Sequence, residues 1–345
     1  MAITLNRRCF FGAVVAITTF LSSVGTFSQS NVEKFAFGGY AQGTTYHIVY
    51  YADRQRVSKQ QVDSILTKID SSLSIYKSYS LISQFNYSTN GVKMDEYLKT
   101  VVKKSIEIFH ETGGIFDITV FPLVNAWGFG PVRINELPDS ADIKHLLACV
   151  GSKNIKIVGE MLVKNVPCVK LDVNGIAQGY SVDLLANFME KNGIHNYLVE
   201  IGGELRVNGR KQPGGDLMEI GIEGPSNDTS GEPIIRRVVQ IKTGALTTSG
   251  SYRKYFEKKK KLNAHLINPR TGYPFQNELI GVTVYAKDAI TADGYDNALM
   301  GMGLEKALAF IKKHRGIEAY FIYQDGNGNV LEKATPGFDK LIKVL

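Results

Sequence analysis

Residues 280–303, IGVTVYAKDAITADGYDNALMGMG, contain the pattern that decides the fold. The first seven residues are rich in β-branched side chains and predict a buried strand. The helix that follows opens with three residues that carry side-chain oxygen atoms, Asp293, Asp296 and Asn297. Asp293 and Asn297 are four residues apart, so a helix places both side chains on one face. The stretch therefore predicts a strand that leads into a helix with a polar face near its start.

The spacing of these residues is compatible with two interpretations of the polar face. One carboxylate and one neutral amide oxygen suit a hard cation such as Mg²⁺, which keeps few protein ligands and completes its shell with phosphate oxygens or water. Asp296 would then act through a water molecule. Alternatively, the acidic residues favour the start of a helix because of its dipole, and Asn297 faces solvent.

Strand and helix patterns continue along the chain without strict alternation, which predicts an α+β fold rather than a doubly wound parallel sheet. We expect one large domain over residues 30–345, without repeats or linkers. Helices are predicted near residues 57–73, 96–114, 138–150 and 176–192, with two more separated by Gly301 and Gly303. Strands or hairpins are predicted at residues 40–51, 154–173, 196–209, 217–256, 280–286 and 318–331.

The N-terminus, residues 1–29, has the features of an export signal. A basic pair precedes an apolar run, which small and polar residues follow. The segment NRRCFFG also resembles a twin-arginine signal, so either export route fits. A permanent membrane anchor is the alternative, although the apolar run is short for a span. We expect the mature chain in the periplasm or at the outer face of the inner membrane, associated with that membrane if the anchor is retained.

The three cysteines bear on this location. Cys9 precedes the apolar run, so the sequence does not support a lipoprotein cleavage site. Export would place Cys149 and Cys168 in an oxidising compartment, where they either pair or remain two buried thiols.

The charge pattern argues against nucleic-acid binding. The formal net charge is +7, and the only dense basic run is the KKKK segment at residues 258–261. No aromatic residues alternate with these lysines, so we interpret the run as a solvated loop or hairpin tip.

Four further stretches combine glycine with polar or acidic residues. One of them, TTSGSYRKYF from Thr247, gathers hydroxyls, a glycine and Arg253, and taken alone it has no specific interpretation. GGIFDITVFPLVNAWGFG, from Gly113, places Asp117 in an apolar run, where its carboxylate requires a hydrogen-bonding partner or a ligand. LDVNGIAQGYSVD, from Leu171, is a glycine-rich strand-to-helix turn that suits either a phosphate or a tight corner. AHLINPRTGYPF contains His265, which taken alone fits a structural histidine before a plain turn.

Taken together, these motifs resemble the ApbE family of FAD:protein FMN transferases over nearly the whole mature chain. The matching segments are GTTY, SLSIYKSYSLISQFN, GGIFDITVFPLVNAWGFG, LDVNGIAQGYSVD, LVEIGGELRVNG, TSGSYRKY, HLINPRTGYP and ITADGYDNALMGMG, in this order. The resemblance implies a Mg²⁺-dependent enzyme that cleaves FAD and transfers FMN to a Thr or Ser hydroxyl of an exported redox subunit, releasing AMP.

The resemblance also implies roles for individual residues. FAD contacts fall on Gln42, Tyr76, Ile115, Phe116, Asp117, Asp172, Gln178, Leu266 and Ile267. The backbone carbonyl of Gly175 and the side chains of Asp293 and Asn297 correspond to metal ligands. His265 corresponds to the base that deprotonates the acceptor hydroxyl. The family implies no nucleic-acid partner, and we keep a homodimer as one expectation for the assembly.

Three positions depart from the family pattern. The last metal ligand is usually Thr and is Asn297 here, the usual lysine of the phosphate turn is Gln178, and Asn268 replaces an acid. These changes leave two rival functions open. One is an FAD pyrophosphatase that yields free FMN and AMP, and the other is a flavin-binding protein without turnover.

Overall fold

The computed structural model describes residues 32–225, 234–250 and 266–344. Residues 32–345 form one compact unit with an α+β architecture, as the sequence predicts. The helices are α1 (Lys59–Leu73), α2 (Leu81–Tyr87), α3 (Glu96–Glu111), α4 (Phe121–Ala126), α5 (Ser140–Leu147), α6 (Asn174–Lys191), α7 (Ala289–Met302), α8 (Leu304–Lys313) and α9 (Pro336–Asp339). The strands are β1 (Glu33–Ala41), β2 (Thr44–Ala52), β3 (Gly91–Lys93), β4 (Ile155–Val158), β5 (Met161–Lys164), β6 (Tyr197–Ile201), β7 (Glu204–Asn208), β8 (Met218–Gly224), β9 (Ile234–Ile241), β10 (Thr243–Gly250), β11 (Leu279–Ala286), β12 (Ile317–Gln324) and β13 (Val330–Ala334).

The central element is an eight-stranded sheet in the order β1-β2-β6-β7-β10-β11-β12-β13. Every neighbouring pair in this sheet is antiparallel. A three-stranded sheet, β3-β5-β4, and a two-stranded ribbon, β8-β9, complete the described strands. Strands β10 and β11 are neighbours in the interior of this sheet, and α7 follows β11 directly and packs against both strands, so its polar face lies close to the sheet.

Helices cover one face of the central sheet and form the main core. Alternate residues of β2, Tyr46, Ile48 and Tyr50, are fully buried on this side. They belong to the same cluster as the apolar faces of α1, α3, α6 and α7. Side chains of successive strand residues point to opposite faces, so the residues between them face the other layer.

The opposite face of the sheet is buried by the β8-β9 ribbon and the C-terminal helix. Val207, Tyr320 and Ile322 pack there against Val239 of β9 and Phe338 of α9. Burial on both faces explains why β11 and β12 have nearly continuous apolar sequences instead of strict alternation.

The structure corrects several predicted boundaries. The segment 196–209, predicted as one strand, is a hairpin of β6 and β7, because Gly202 and Gly203 have φ values of 66° and 115° and form its turn. The break between the last two long helices lies at Gly303 alone, with φ 78°, and Gly301 lies inside α7. The hairpins predicted near residues 154–173 and 318–331 are confirmed.

Cys149 and Cys168 form a disulfide with a Cα–Cα distance of 5.3 Å. This settles the choice between pairing and two thiols. In the described ranges, no helix is long and apolar enough to cross a membrane. The predicted export signal, the KKKK run and His265 lie outside the described residues.

Candidate active site

A cavity of about 410 Å³ opens beside the start of α6, the end of β10 and the polar face of α7. Most of the predicted site residues line it. These are Tyr76, Ile115, Phe116, Asp117, Asp172, Gly175, Gln178, Leu266, Ile267, Asp293 and Asn297. One part of its lining is apolar, and another part, called the polar wall below, is formed by carboxyl and amide groups. The cavity therefore suits a ligand with a flat apolar part and a polar part.

Helices α6 and α7 touch closely at the polar wall because residue 179 is glycine. A Cβ atom at Gly179 would lie 2.3 Å from the backbone oxygen of Ala289 and 2.7 Å from Cβ of Asp293. The amide N–H of Gly179 donates a hydrogen bond of 2.8 Å to Oδ2 of Asp293. This contact orients the carboxylate and leaves its other oxygen, Oδ1, directed toward the side chain of Asn297.

A residue of α6 also caps the start of α7. Oδ1 of Asp183 accepts the backbone N–H of Ala289, and Oδ2 accepts that of Ile290. Arg206 donates to Oδ1 of the same carboxylate over 2.8 Å. Because the first N–H groups of a helix lack internal partners, this cap fixes where the polar face of α7 begins.

Four oxygen atoms converge on the side-chain amide of Asn297. Its Nδ2 donates to the backbone oxygen of Asp293 and to Oδ1 of Asp296, both over 2.9 Å. The carbonyl oxygen of Gly175 lies 3.3 Å from Nδ2, and Oδ1 of Asp293 lies 3.4 Å from it. The predicted metal ligands are therefore brought together, and the interpretation of this face as a solvated helix start is wrong, since Asp293 and Asp296 are buried.

The carboxyl groups at this wall carry perturbed pKa values. Burial raises the pKa of Asp293 to about 7. The pKa values of Asp296 and Glu204 are raised well above their usual range, first by burial and then by the charge of Asp293. Ionising such a cluster without a cation is unfavourable, and a bound cation reverses this preference.

The described lining of the cavity provides no positive charge. None of its residues is Lys, Arg or His, whereas five are acidic: Asp117, Asp172, Glu204, Asp293 and Asp296. Within the described ranges, no group of three or more His, Cys, Asp or Glu side chains is arranged to hold a metal ion by itself. A cation that takes few protein ligands and shares the rest with phosphate or water fits this donor set, and Mg²⁺ has this property.

Asp117 finds protein partners for its carboxylate. Oδ1 accepts the N–H and hydroxyl of Thr119 over 2.8 and 2.6 Å, and also the hydroxyl of Ser152. Oδ2 accepts the N–H of Ser152 over 3.0 Å. The disulfide partner Cys149 precedes Ser152 by three residues, so the bridge to Cys168 secures the segment that pairs with Asp117. Asp117 lines the cavity and also fixes its wall.

Asp172 lines the cavity, and hydrogen bonds on both sides hold the segment that carries it. The side chain of Asn86 exchanges two hydrogen bonds with the backbone of Leu171, of 2.7 and 2.9 Å. The N–H of Asp172 donates to the carbonyl of Ile118. Burial raises the pKa of Asp172 to about 6. Tyr76 stands beside this wall with 61% of its surface exposed, and burial followed by the charge of Asp172 raises its pKa.

The predicted residues Gln42 and His265 are not among the described lining of the cavity. Gln42 donates from Nε2 to Ser181 over 2.8 Å and adopts a left-handed φ of 52° in the turn between β1 and β2. His265 directly precedes the described segment that begins at Leu266. The following turn is held by Trp127, whose Nε1 donates to the carbonyl of Gly272 over 2.8 Å.

The sequence analysis assigned no role to several polar residues of the cavity. Glu204, Thr248 and Ser249 line its polar wall from β7 and β10. The buried Oε2 of Glu204 has no hydrogen-bond partner among the described residues. A signal was present for Glu204, since an acid directly after Gly-Gly and between two apolar strands is unusual. Thr248 and Ser249 begin the motif TSGSYRKY, but neither residue had been given a role.

Comparisons with known proteins identify relatives along most of the chain. The family model described as the ApbE family matches residues 42–321. The chain is similar to the FAD:protein FMN transferase of Vibrio cholerae, with 35% identity over 304 residues, covering 86% of this chain and 89% of that protein. It is also similar to the FAD:protein FMN transferase of Haemophilus influenzae, with 34% identity over 341 residues, covering 95% and 96%.

Solved structures are similar along most of the chain. The flavin transferase ApbE from Vibrio cholerae superposes with a TM-score of 0.81 at 32% identity, covering 90% of this chain and 99% of that one. The apo form of the flavinyl transferase ApbE from Pseudomonas stutzeri has a TM-score of 0.79 at 35% identity, covering 90% and 97%. This chain belongs to the ApbE family.

Proposed function

We propose that this protein is a flavin transferase that moves FMN from FAD to a Thr or Ser hydroxyl of an exported protein and releases AMP. The relatives named FAD:protein FMN transferase support the overall reaction. The observation that carries the proposal for this chain is the polar wall of the cavity. There, ligand oxygens converge on one point, and the described lining contributes no cationic side chain.

A diphosphate enters such a cavity only together with positive charge. The carbonyl of Gly175, the carboxylate of Asp293 and the side chain of Asn297 would hold a divalent cation, for which we propose Mg²⁺. When bound, the cation neutralises the negative charge of the diphosphate and of the leaving phosphate. Gln178 and Thr248 line the same wall and can donate hydrogen bonds to phosphate oxygens.

The apolar wall would hold the ring system of FAD. Ile115, Phe116, Leu266 and Ile267 form this wall, and burial of a flat apolar group against them excludes water from the neighbouring diphosphate. Tyr76, half-exposed at the same cavity, would contact the flavin from the solvent side.

The transfer step joins the acceptor hydroxyl oxygen to the phosphorus of the FMN half. The bond between this phosphorus and the bridging oxygen breaks, and AMP leaves with that oxygen. His265 would take the proton of the hydroxyl, since an imidazole is the side chain that most often serves as a general base. We further propose that residues 1–29 direct export, so that the acceptor is a redox subunit in the periplasm or at the outer face of the inner membrane. A homodimer stays a prediction.

The test is a transfer reaction with the purified mature protein, FAD, Mg²⁺ and candidate exported redox subunits. We expect flavin fluorescence on the denatured acceptor and a mass increase equal to FMN minus water. Removal of divalent cations with EDTA should abolish both signals.

Asp293→Ala should abolish metal-dependent transfer because it removes the carboxylate that faces the other ligand oxygens. Asp216→Ala is the matched control, since Asp216 is exposed and does not line the cavity. Full transfer by Asp293→Ala would refute the ligand assignment. Release of free FMN and AMP without a labelled acceptor would identify a pyrophosphatase instead.

A further inference from the structure

The side-chain amide of Asn297 faces the proposed cation site with its nitrogen atom. All four groups around Nδ2 are hydrogen-bond acceptors: the backbone oxygens of Gly175 and Asp293, and the Oδ1 atoms of Asp293 and Asp296. The amide oxygen points away from them, toward Ser249, whose hydroxyl donates to it over 3.4 Å. In this orientation the N–H groups occupy the position of a cation.

A divalent cation coordinates an amide through its oxygen atom. Asn297 therefore becomes a ligand only after a half-turn about its Cβ–Cγ bond, which exchanges nitrogen and oxygen while the shape of the side chain stays nearly the same.

We propose that Asn297 is a two-position ligand and that Ser249 is the positioning residue that stabilises both positions. This inference rests on the proposed function, because it concerns the same cation site. Without the cation, the Ser249 hydroxyl donates to Oδ1 of Asn297. With the cation, the amide has turned, and Nδ2 donates to the Ser249 oxygen, since a hydroxyl both donates and accepts.

Ser249 is suited to this role by its surroundings. It lies near the end of β10, opposite Val282 of β11, and only 8% of its surface is exposed. An amide N–H turned toward this position finds little water to replace the hydroxyl. Without the Ser249 hydroxyl, Nδ2 of Asn297 has no hydrogen-bond acceptor when the cation is bound. When the cation is absent, the loss is only the long hydrogen bond from Ser249 to Oδ1 of Asn297.

The first experiment follows the side-chain amide directly. ¹⁵N-labelled protein is titrated with Mg²⁺ alone, and the Asn297 resonances are assigned by their loss in Asn297→Asp. We expect both N–H resonances to shift as Mg²⁺ binds, because the protons leave carboxylate and carbonyl oxygens for a single hydroxyl. Unchanged resonances at Mg²⁺ concentrations that saturate binding in calorimetry would overturn the proposal.

The second experiment is a double-mutant cycle on Mg²⁺ affinity, measured by calorimetry. Ser249→Ala should weaken Mg²⁺ binding of the otherwise unchanged protein about fivefold, the effect expected for one unpaired buried donor. In Asn297→Asp, both edges of the side chain are oxygen, so no turn is needed. There, Ser249→Ala should change the affinity by less than about twofold.

The outcomes separate this inference from the proposed function. If Ser249→Ala lowers the Mg²⁺ affinity equally in the unchanged protein and in Asn297→Asp, the role of Ser249 is overturned. FMN transfer by the unchanged protein then leaves the transferase proposal standing. Absence of Mg²⁺ binding together with absence of FMN transfer overturns both.

Discussion

The close contact of α6 and α7 leads to a prediction about Gly179. On propensity alone, Gly179→Ala in the interior of a helix should stabilise the protein by about 1 kcal/mol. The structure predicts the opposite sign, because the added Cβ would lie 2.3 Å from the backbone oxygen of Ala289. Ordinary van der Waals contact begins at 3.4 Å. Helices α6 and α7 must therefore move apart by about 1 Å, and the closely packed interior around them resists this movement.

The expected loss can be worked from the contacts. Overpacking of this kind costs about 1–3 kcal/mol. Separation of the helices also weakens the hydrogen bond from the Gly179 N–H to Asp293, which is worth about 1.5–3 kcal/mol if the carboxyl is charged. After the two losses are added and the helix-propensity gain is subtracted, we expect Gly179→Ala to lower the free energy of unfolding by about 1.5–5 kcal/mol, the upper end applying if the hydrogen bond is lost entirely.

Urea denaturation followed by far-ultraviolet circular dichroism, in buffer with EDTA, measures this difference. Gly326→Ala is the control, since a Cβ there meets no heavy atom within 4 Å. It should change the free energy of unfolding by less than about 0.5 kcal/mol. A Gly179→Ala variant at least as stable as the unchanged protein would refute the packing argument.

Three further predictions concern other parts of the chain. Burial holds the folded-state pKa of Asp172 near 6 instead of 3.8, so stability is fully present below about pH 4 and declines as pH rises through 6, by about 3 kcal/mol. Urea titrations across this range should show that Asp172→Asn removes the decline; an unchanged pH profile would contradict it. Replacing Cys149 and Cys168 by Ser together should lower the free energy of unfolding by about 3 kcal/mol, because the bridge closes a loop with a sequence separation of 19; equal urea midpoints for this variant and the oxidised protein would argue against it. His265→Ala should lose FMN transfer while FAD still binds, as measured by flavin fluorescence; unchanged transfer kinetics would exclude the role as base.

Local patterns in the sequence predicted most of the elements, and the family resemblance pointed to most of the residues that line the cavity. The period-2 and period-3.6 patterns placed the long helices and the main strands, because burial on one face imposes these spacings on the chain. The spacing of Asp293 and Asn297 predicted a shared helix face, and the structure confirms it. The motif order predicted the family, which the comparisons confirm.

Contacts between distant segments could be read only from the tertiary structure. The pairing of Cys149 with Cys168 and the burial of Glu204 beside Asp293 depend on residues that are far apart in the sequence. Ser249 belongs to the motif TSGSYRKY, but only the tertiary structure shows that it faces the amide of Asn297.

The sequence by itself thus determined which segments form helices and strands and which residue types are available for a cation and a flavin. This follows because propensity and hydrophobic spacing act over a few neighbouring residues. Tertiary structure decided which oxygens meet at one point, which carboxyl groups lose their solvent, and which way the amide of Asn297 turns. These properties depend on distance and burial, and only the packed chain sets both.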